Sequence, residues 1–161
     1  MNLRSGLRIP VTATDAVASV GLMAQVGTRA EPHPRVVDPQ HPLVERVRRI
    51  ALAYPEAVEA ETWGRPTFRA GKRIFVLVGS TMENPFSIVF KPDPDEGRVF
   101  AADNRFWSPP YWGAAGWLAI HIDPPETDWQ ELEELIDTSY RQVALKRQLA
   151  QLDKSTPKRL V

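Results

Sequence analysis

The run Glu61-Thr62-Trp63-Gly64-Arg65-Pro66-Thr67-Phe68-Arg69-Ala70-Gly71-Lys72-Arg73 is the richest stretch of chemistry-bearing side chains in the chain. It sets the bases Arg65, Arg69, Lys72 and Arg73 against the single acid Glu61, with Trp63 and Phe68 between them. Guanidinium and ammonium groups contact phosphates, and aromatic rings stack on bases, so a β-ribbon of this composition suits nucleic acid. The same pattern also describes an ordinary sheet with its rings inward and a basic, solubilising outer side. On either reading, at least one of Trp63 and Phe68 is expected to be a buried anchor between sheet and helix.

His121 and Asp123 lie two apart and share a face if the segment is a strand. Such a pair could hold a proton or part of a metal site. A metal needs three or four ligands, however, and the other histidines, His33 and His41, sit in or beside the N-terminal arm. The pair therefore reads as an edge histidine beside a strand-ending aspartate, and neither metal nor cofactor is expected. Nucleophile motifs are absent: there is no G-x-S-x-G, and Ser80, Ser87, Ser108 and Ser139 have no histidine at a motif spacing. Neither form of glycine-rich phosphate loop occurs. Asp93, Asp95 and Glu96 stand among prolines and read as solvated carboxylates. No catalytic residue is assigned, and a binding module rather than an enzyme is expected.

Composition narrows the classes further. The 161 residues suit one domain, and Lys+Arg and Asp+Glu balance at 20 each. A neutral total argues against strong non-specific nucleic-acid binding, so any such activity must come from local patches. The absence of cysteine excludes disulfides, thiolate zinc and iron–sulfur clusters, and it fits a reducing, cytoplasmic setting. No stretch is long and apolar enough to span a bilayer, so no membrane association is expected. Arg4 and Arg8 precede a mild run from Val11 to Val26, but Asp15, Ser19 and Gln25 make that run a poor signal core.

Elements must position these groups. Residues 1–37 lack periodicity and include Glu31-Pro32-His33-Pro34-Arg35, which predicts a flexible N-terminal arm with at most a short helix near Asp15–Gln25. A helix is predicted over 39–54, begun by Asp38-Pro39 or His41-Pro42 and ended by Pro55. Leu43, Val47, Ile50 and Tyr54 recur at helical spacing. Thr67–Ala70 and Arg73–Val78 predict a hairpin about Gly71-Lys72. Phe86, Ile88 and Phe90 alternate in a further strand, and the acidic connection Pro92–Gly97 follows. Residues 98–104 fit helix or strand equally. An aromatic loop fills 107–117. Trp117–Ile122 then alternates, with Leu118, Ile120 and Ile122 on one side and Trp117, Ala119 and His121 on the other. Asp128, with Glu131 as a capping box, begins a last helix whose stripe includes Trp129, Leu132, Leu135, Ile136, Tyr140, Val143 and Leu149. Helix, antiparallel strands and helix give a two-layer α+β sandwich.

The run Glu61–Arg69 with Lys72-Arg73-Ile74-Phe75 resembles the signature of the MmcQ/YjbR family. So does the later block of Lys91, Pro110-Tyr111, Gly116-Trp117-Leu118, Ser139-Tyr140 and Leu145-Lys146-Arg147. The resemblance covers about residues 41–152. It implies a frataxin-like (CyaY-like) α+β sandwich and the family's label of predicted DNA-binding protein with double-wing hairpins. No catalytic residues come with it. The acidic, proline-bearing segment Pro92–Gly97 departs from the family, in which a helix often follows the lysine strand. Frataxins have a similar architecture and bind iron through an acidic first helix. Here Glu45 is outnumbered by Arg46, Arg48 and Arg49, the wrong sign for a cation site.

The organisation that follows is an arm (1–37), an α+β domain (38–152) and a C-terminal tail (153–161). The leading functional expectation is weak, salt-dependent DNA binding. Trp63, Arg65, Arg69, Lys72 and Arg73 form the platform, with Lys91, Tyr111 and Trp117 as neighbours. The first alternative is a protein partner bound by the loop 107–117. The second is a small ligand or substrate held between the open sheet face and that loop by Tyr111, Trp117 and His121.

Overall fold

Helix α1 spans Pro42–Ala51 and starts later than Asp38-Pro39 suggests. His41 is the N-cap, its Nδ1 accepting from the Leu43 N–H at 3.2 Å, and Pro42 takes the first helical position, where no N–H is needed. Asp38 closes a preceding turn instead, its carboxylate accepting from the Gln40 N–H. The computed structural model describes residues 32–156, and within them one compact unit begins at Pro34. The expected helix near Asp15–Gln25, the rest of the arm to residue 31, and residues 157–161 lie outside the described residues.

Six antiparallel strands follow in the order β1-β2-β3-β4-β6-β5. They are β1 (Ala57–Thr62), β2 (Arg65–Ala70), β3 (Arg73–Val78), β4 (Ser87–Phe90), β5 (Phe106–Trp107) and β6 (Leu118–His121). The hairpin about Gly71-Lys72 forms as expected, with Ala70 paired to Arg73 and Gly71 at φ 63°. Helix α2 (Pro94–Phe100) occupies the segment that reads as an acidic connection. Asp93 caps it by accepting from the Asp95 N–H, and Pro94 is at its first position, so the cap-and-proline pairing outweighs the acidic composition. The ambiguous residues 98–104 are the end of this helix and a turn.

The final helix is two helices. Helix α3 (Trp129–Val143) is capped by Asp128, and α4 (Lys146–Ser155) follows an extended step at Ala144-Leu145. The break holds because the buried Gln148 accepts from the Leu145 N–H through its Oε1 at 2.7 Å, giving the new helix a start. Glu131 does not return to its cap; its carboxylate pairs with Arg105 at 2.9 Å. Residues 153–155, expected in the tail, complete α4.

Helices α1 and α3 cover one face of the sheet. Cross-strand register places Phe68, Val76, Phe90 and Leu118 in one row on that face, where all four join the main core. Phe68 is fully buried, so it is the expected anchor and Trp63 is not. Strand β3 has one residue too many opposite β2: Phe68 pairs with Val76 and Arg69 with Ile74, leaving Phe75 as a bulge. Phe75 and Val76 therefore both turn toward the helices. There Phe75 meets Tyr54 and Tyr140 edge-on, at 5.8 and 5.1 Å between ring centres. At the bulge the buried Ser139 hydroxyl donates to the Phe75 carbonyl and accepts from the Lys91 N–H at 2.7 Å. Tyr140 donates to the Pro55 carbonyl at 2.6 Å. The α+β two-layer sandwich is thus pinned by the Ser139-Tyr140 pair.

Val36 and Val37, expected in the arm, pack on the domain. Both are buried, Val37 within the main core, and the Val36 N–H donates to the Gly64 carbonyl at 2.8 Å. Two valines and a proline carry too little periodicity to mark this packing. Truncation at Asp38 should therefore lower the thermal midpoint by about 5 °C or more, as expected for losing two buried valines. Ser139→Ala leaves a buried N–H and a buried carbonyl unpaired. Urea unfolding should show a loss of about 2–4 kcal/mol, and a loss under about 0.5 kcal/mol would mean the strands close the gap themselves.

Candidate functional site

The sheet face away from the helices segregates charge. Alternation from the paired rows puts Val58, Ala60 and Thr62 of β1, Arg65, Thr67 and Arg69 of β2, and Leu77, Val89, Ala119 and Trp107 on this far face. The strand carboxylates, Glu59 and Glu61, fall on the opposite side, where Glu59 pairs with Arg48 at 2.7 Å. Asp123 is nearest in the far-face phase, beside His121 at 3.7 Å and three strands from Arg65. The centre of the face is a small apolar cluster of Leu77, Val89, Trp117 and Ala119, covered by Ile74, Trp107 and Trp112.

Both arginines of β2 sit half-buried on this face without a carboxylate partner among the described residues. Arg65 Nη1 donates to the carbonyls of Gly79 and Ser80, at 2.6 and 2.9 Å. Burial holds its pKa below the usual guanidinium value, because carbonyls replace lost hydration only in part. Arg69 Nη2 donates to Thr62 Oγ1 at 3.0 Å, while its buried Nε has no partner. A half-buried, unneutralised guanidinium attracts an anion more strongly than a solvated one, since less water screens it.

Trp63 stands at the end of this row in a two-residue turn between the paired residues Thr62 and Arg65. Trp63 and Gly64 have φ of 52° and 75°, the type I′ geometry that favours Asn-Gly. A tryptophan in the left-handed region costs about 1–3 kcal/mol. Gly64 is obligatory, because a Cβ there would stand 2.1 Å from the Pro34 carbonyl oxygen. The Trp63 ring is half exposed and meets Trp112 edge-on at 6.1 Å; Trp112 in turn packs on Trp117 at 5.1 Å.

The other expected site residues separate. Lys72 and Arg73 are exposed at the β2–β3 tip, at the far end of β2 from Trp63. Lys91 is half-buried just past β4. Tyr111 is fully exposed with φ 68°. Trp117 is buried, so it supports Trp112 and has no free ring face for a ligand. Sequence reading missed Trp112 as the roof of the far face, since a loop carries no periodicity to place it. It also missed the link between α4 and the β2–β3 tip. The Gly71 N–H donates to the Glu56 carbonyl, and the Glu56 carboxylate pairs with Arg147 at 3.2 Å, linking the start of α4 to the β2–β3 turn through Glu56.

Of the residues expected to line a pocket between the loop 107–117 and the sheet, Trp117 is buried under Trp112 and Tyr111 is fully exposed. A cavity of about 300 Å³ lies at the C-terminal end of β6, lined by Arg105, Ile120, His121, Thr127, Glu131 and Leu132 among others. Glu131 and Asp103 occupy Arg105 and raise its pKa, so the cavity offers no free cation. Among the described residues no three histidine or carboxylate side chains converge as metal ligands.

The YjbR family model matches residues 52–142, more than half of the chain. The chain belongs to the YjbR family. The match runs from the end of α1 through α3 and so contains β1, the Trp63 turn and the Ser139-Tyr140 pair. The crystal structure of Deinococcus radiodurans protein DR2400, a DUF419 domain, is similar at 21% identity and a TM-score of 0.56, over 75% of this chain and 95% of that one. That likeness concerns the fold. No curated protein matches the sequence.

Trp63→Asn relieves the turn strain of about 1–3 kcal/mol and loses the edge contact and partial burial of the indole, of similar size. The two effects should leave stability within about 1 kcal/mol of the parent by urea denaturation. A loss of about 3–5 kcal/mol, the scale for a core aromatic, would make Trp63 an anchor and not a displayed ring.

Proposed function

We propose that this YjbR-family chain is a nucleic-acid-binding module that works by contact and carries no catalytic centre. The observation that carries this reading is the segregation on the far face. Arg65, Arg69 and the indoles share a surface free of strand carboxylates, in a chain whose formal net charge is zero. The β2–β3 tip extends that surface with Lys72 and Arg73, neither paired with a carboxylate among the described residues. The hairpins β1–β2 and β2–β3 are the elements that would act as the two wings. DNA is the favoured partner through the family resemblance. A cytoplasmic setting is supported by the cysteine-free composition. No described helix is long and apolar enough to cross a membrane.

A protein partner is the second reading, and the fully exposed Tyr111 favours it, since tyrosine is a frequent interface anchor. Salt dependence separates the two. Each phosphate contact adds about 0.9 to the slope of log affinity against log salt on duplex DNA. With few contacts, binding should be micromolar at low salt and nearly lost at physiological salt. The double substitution Lys72→Ala and Arg73→Ala should flatten the slope by up to about two units and change stability by no more than about 0.5 kcal/mol. Fluorescence anisotropy with labelled duplex and single strand over a salt series measures this. Absence of binding to either at low salt would sink the nucleic-acid reading in favour of the Tyr111 loop. An unchanged slope in the double variant would move the contacts to Arg65, Arg69 or α4.

A further inference from the structure

We propose that the far face takes unpaired nucleic acid in preference to duplex, with Trp63 as the platform for an exposed base. The inference rests on the nucleic-acid reading and specifies its substrate. Trp63 keeps a half-exposed ring at a turn position whose left-handed backbone suits asparagine and disfavours tryptophan. The local cost is borne by a ring that is not a core anchor, and that points to use of its free surface. Its edge contact with Trp112, itself seated on Trp117, holds the indole in place before any ligand arrives. A ring fixed in advance loses little entropy on stacking.

The charges fit the same ligand. Arg65 adjoins the Trp63 turn, and the Arg69 guanidinium reaches back to Thr62, the residue paired with Arg65, so both guanidiniums stand at the Trp63 end of the face. Lys72 and Arg73 are a second pair of bases at the other end of β2. Two guanidiniums beside an aromatic ring, with further bases a strand's length away, suit a single-stranded backbone of which one base stacks. A duplex keeps its bases stacked on one another and offers no free π-face to an indole. The helices α1 and α3 lie on the opposite side of the sheet, so this face presents no long helix to a major groove.

The test compares a labelled oligothymidine with a duplex of the same length at low salt, by anisotropy and by quenching of tryptophan fluorescence. The proteins are the full chain and its Trp63→Asn and Trp63→Tyr variants, each checked for an unchanged thermal midpoint. Single strand is expected to bind at least about tenfold tighter than duplex and to quench the fluorescence. Trp63→Asn should lose about tenfold or more on the single strand, the scale of one stacked base, while Trp63→Tyr retains most of the affinity. Duplex binding as tight as single strand, or single-strand binding indifferent to Trp63→Asn, overturns this inference and leaves the nucleic-acid reading standing. Failure of both ligands to bind removes that reading and this inference together.

Discussion

The Ser139 hydroxyl is the point on which the two layers depend. The bulge at Phe75 interrupts the β3 ladder, and an interrupted ladder leaves backbone groups without partners in the interior. Ser139 supplies both missing functions, donating to Phe75 and accepting from the N–H of Lys91 just past β4. The helix is thereby tied to two strands by directional bonds, and not only by apolar packing. With the bulge satisfied, Phe75 and Val76 can both face inward and Phe75 can pack against Tyr54 and Tyr140. A burial pattern with strict alternation would place one of them on the far face.

Charge follows from the same geometry. The chain has as many acids as bases, and several of the acids are held in ion pairs on the helical side or at loop edges. Glu59 and Glu45 pair with Arg48, Asp137 and Asp153 with Arg141, and Asp103 and Glu131 with Arg105. These exposed or half-exposed pairs add little stability individually. Their larger consequence is to leave Arg65, Arg69, Lys72 and Arg73 as positive charges without a carboxylate partner among the described residues. A neutral molecule thus presents a basic face.

The tryptophans on that face act as a connected set. Trp117 is buried in the apolar cluster, Trp112 lies on it, and Trp63 meets Trp112 at the rim with half its ring in solvent. Burial therefore grades from support to display over three indoles. The strain at Trp63 is offset by a rigid surround, made by the Pro34 and Val36 contacts to Gly64 and by the Trp112 edge contact.

Short-range chemistry is legible along the chain. Gly71-Lys72 marked a hairpin because a tight turn needs φ > 0, and Asp128 marked a helix start because its carboxylate can take orphan N–H groups. Alternation separated Leu118, Ile120 and Ile122 from Trp117, Ala119 and His121, and the Trp63–Arg69 run pointed to the family. Strand β1 was not legible, because an edge strand of Ala, Val, Glu and Thr has no apolar alternation to betray it. Helix α2 was hidden by its acidic composition, although Asp93-Pro94 is a cap signal. The step at Ala144-Leu145 interrupts a stripe that reads as continuous. Long-range packing brought Val36 and Val37 to the domain, set Trp112 over the far face, and buried Trp117 beneath it while displaying Trp63. It also joined Arg147 of α4 to Glu56, some ninety positions earlier in the chain. Those relations rest on contacts between residues far apart in sequence, and neither the periodicity of one segment nor its composition encodes which distant surface it will meet.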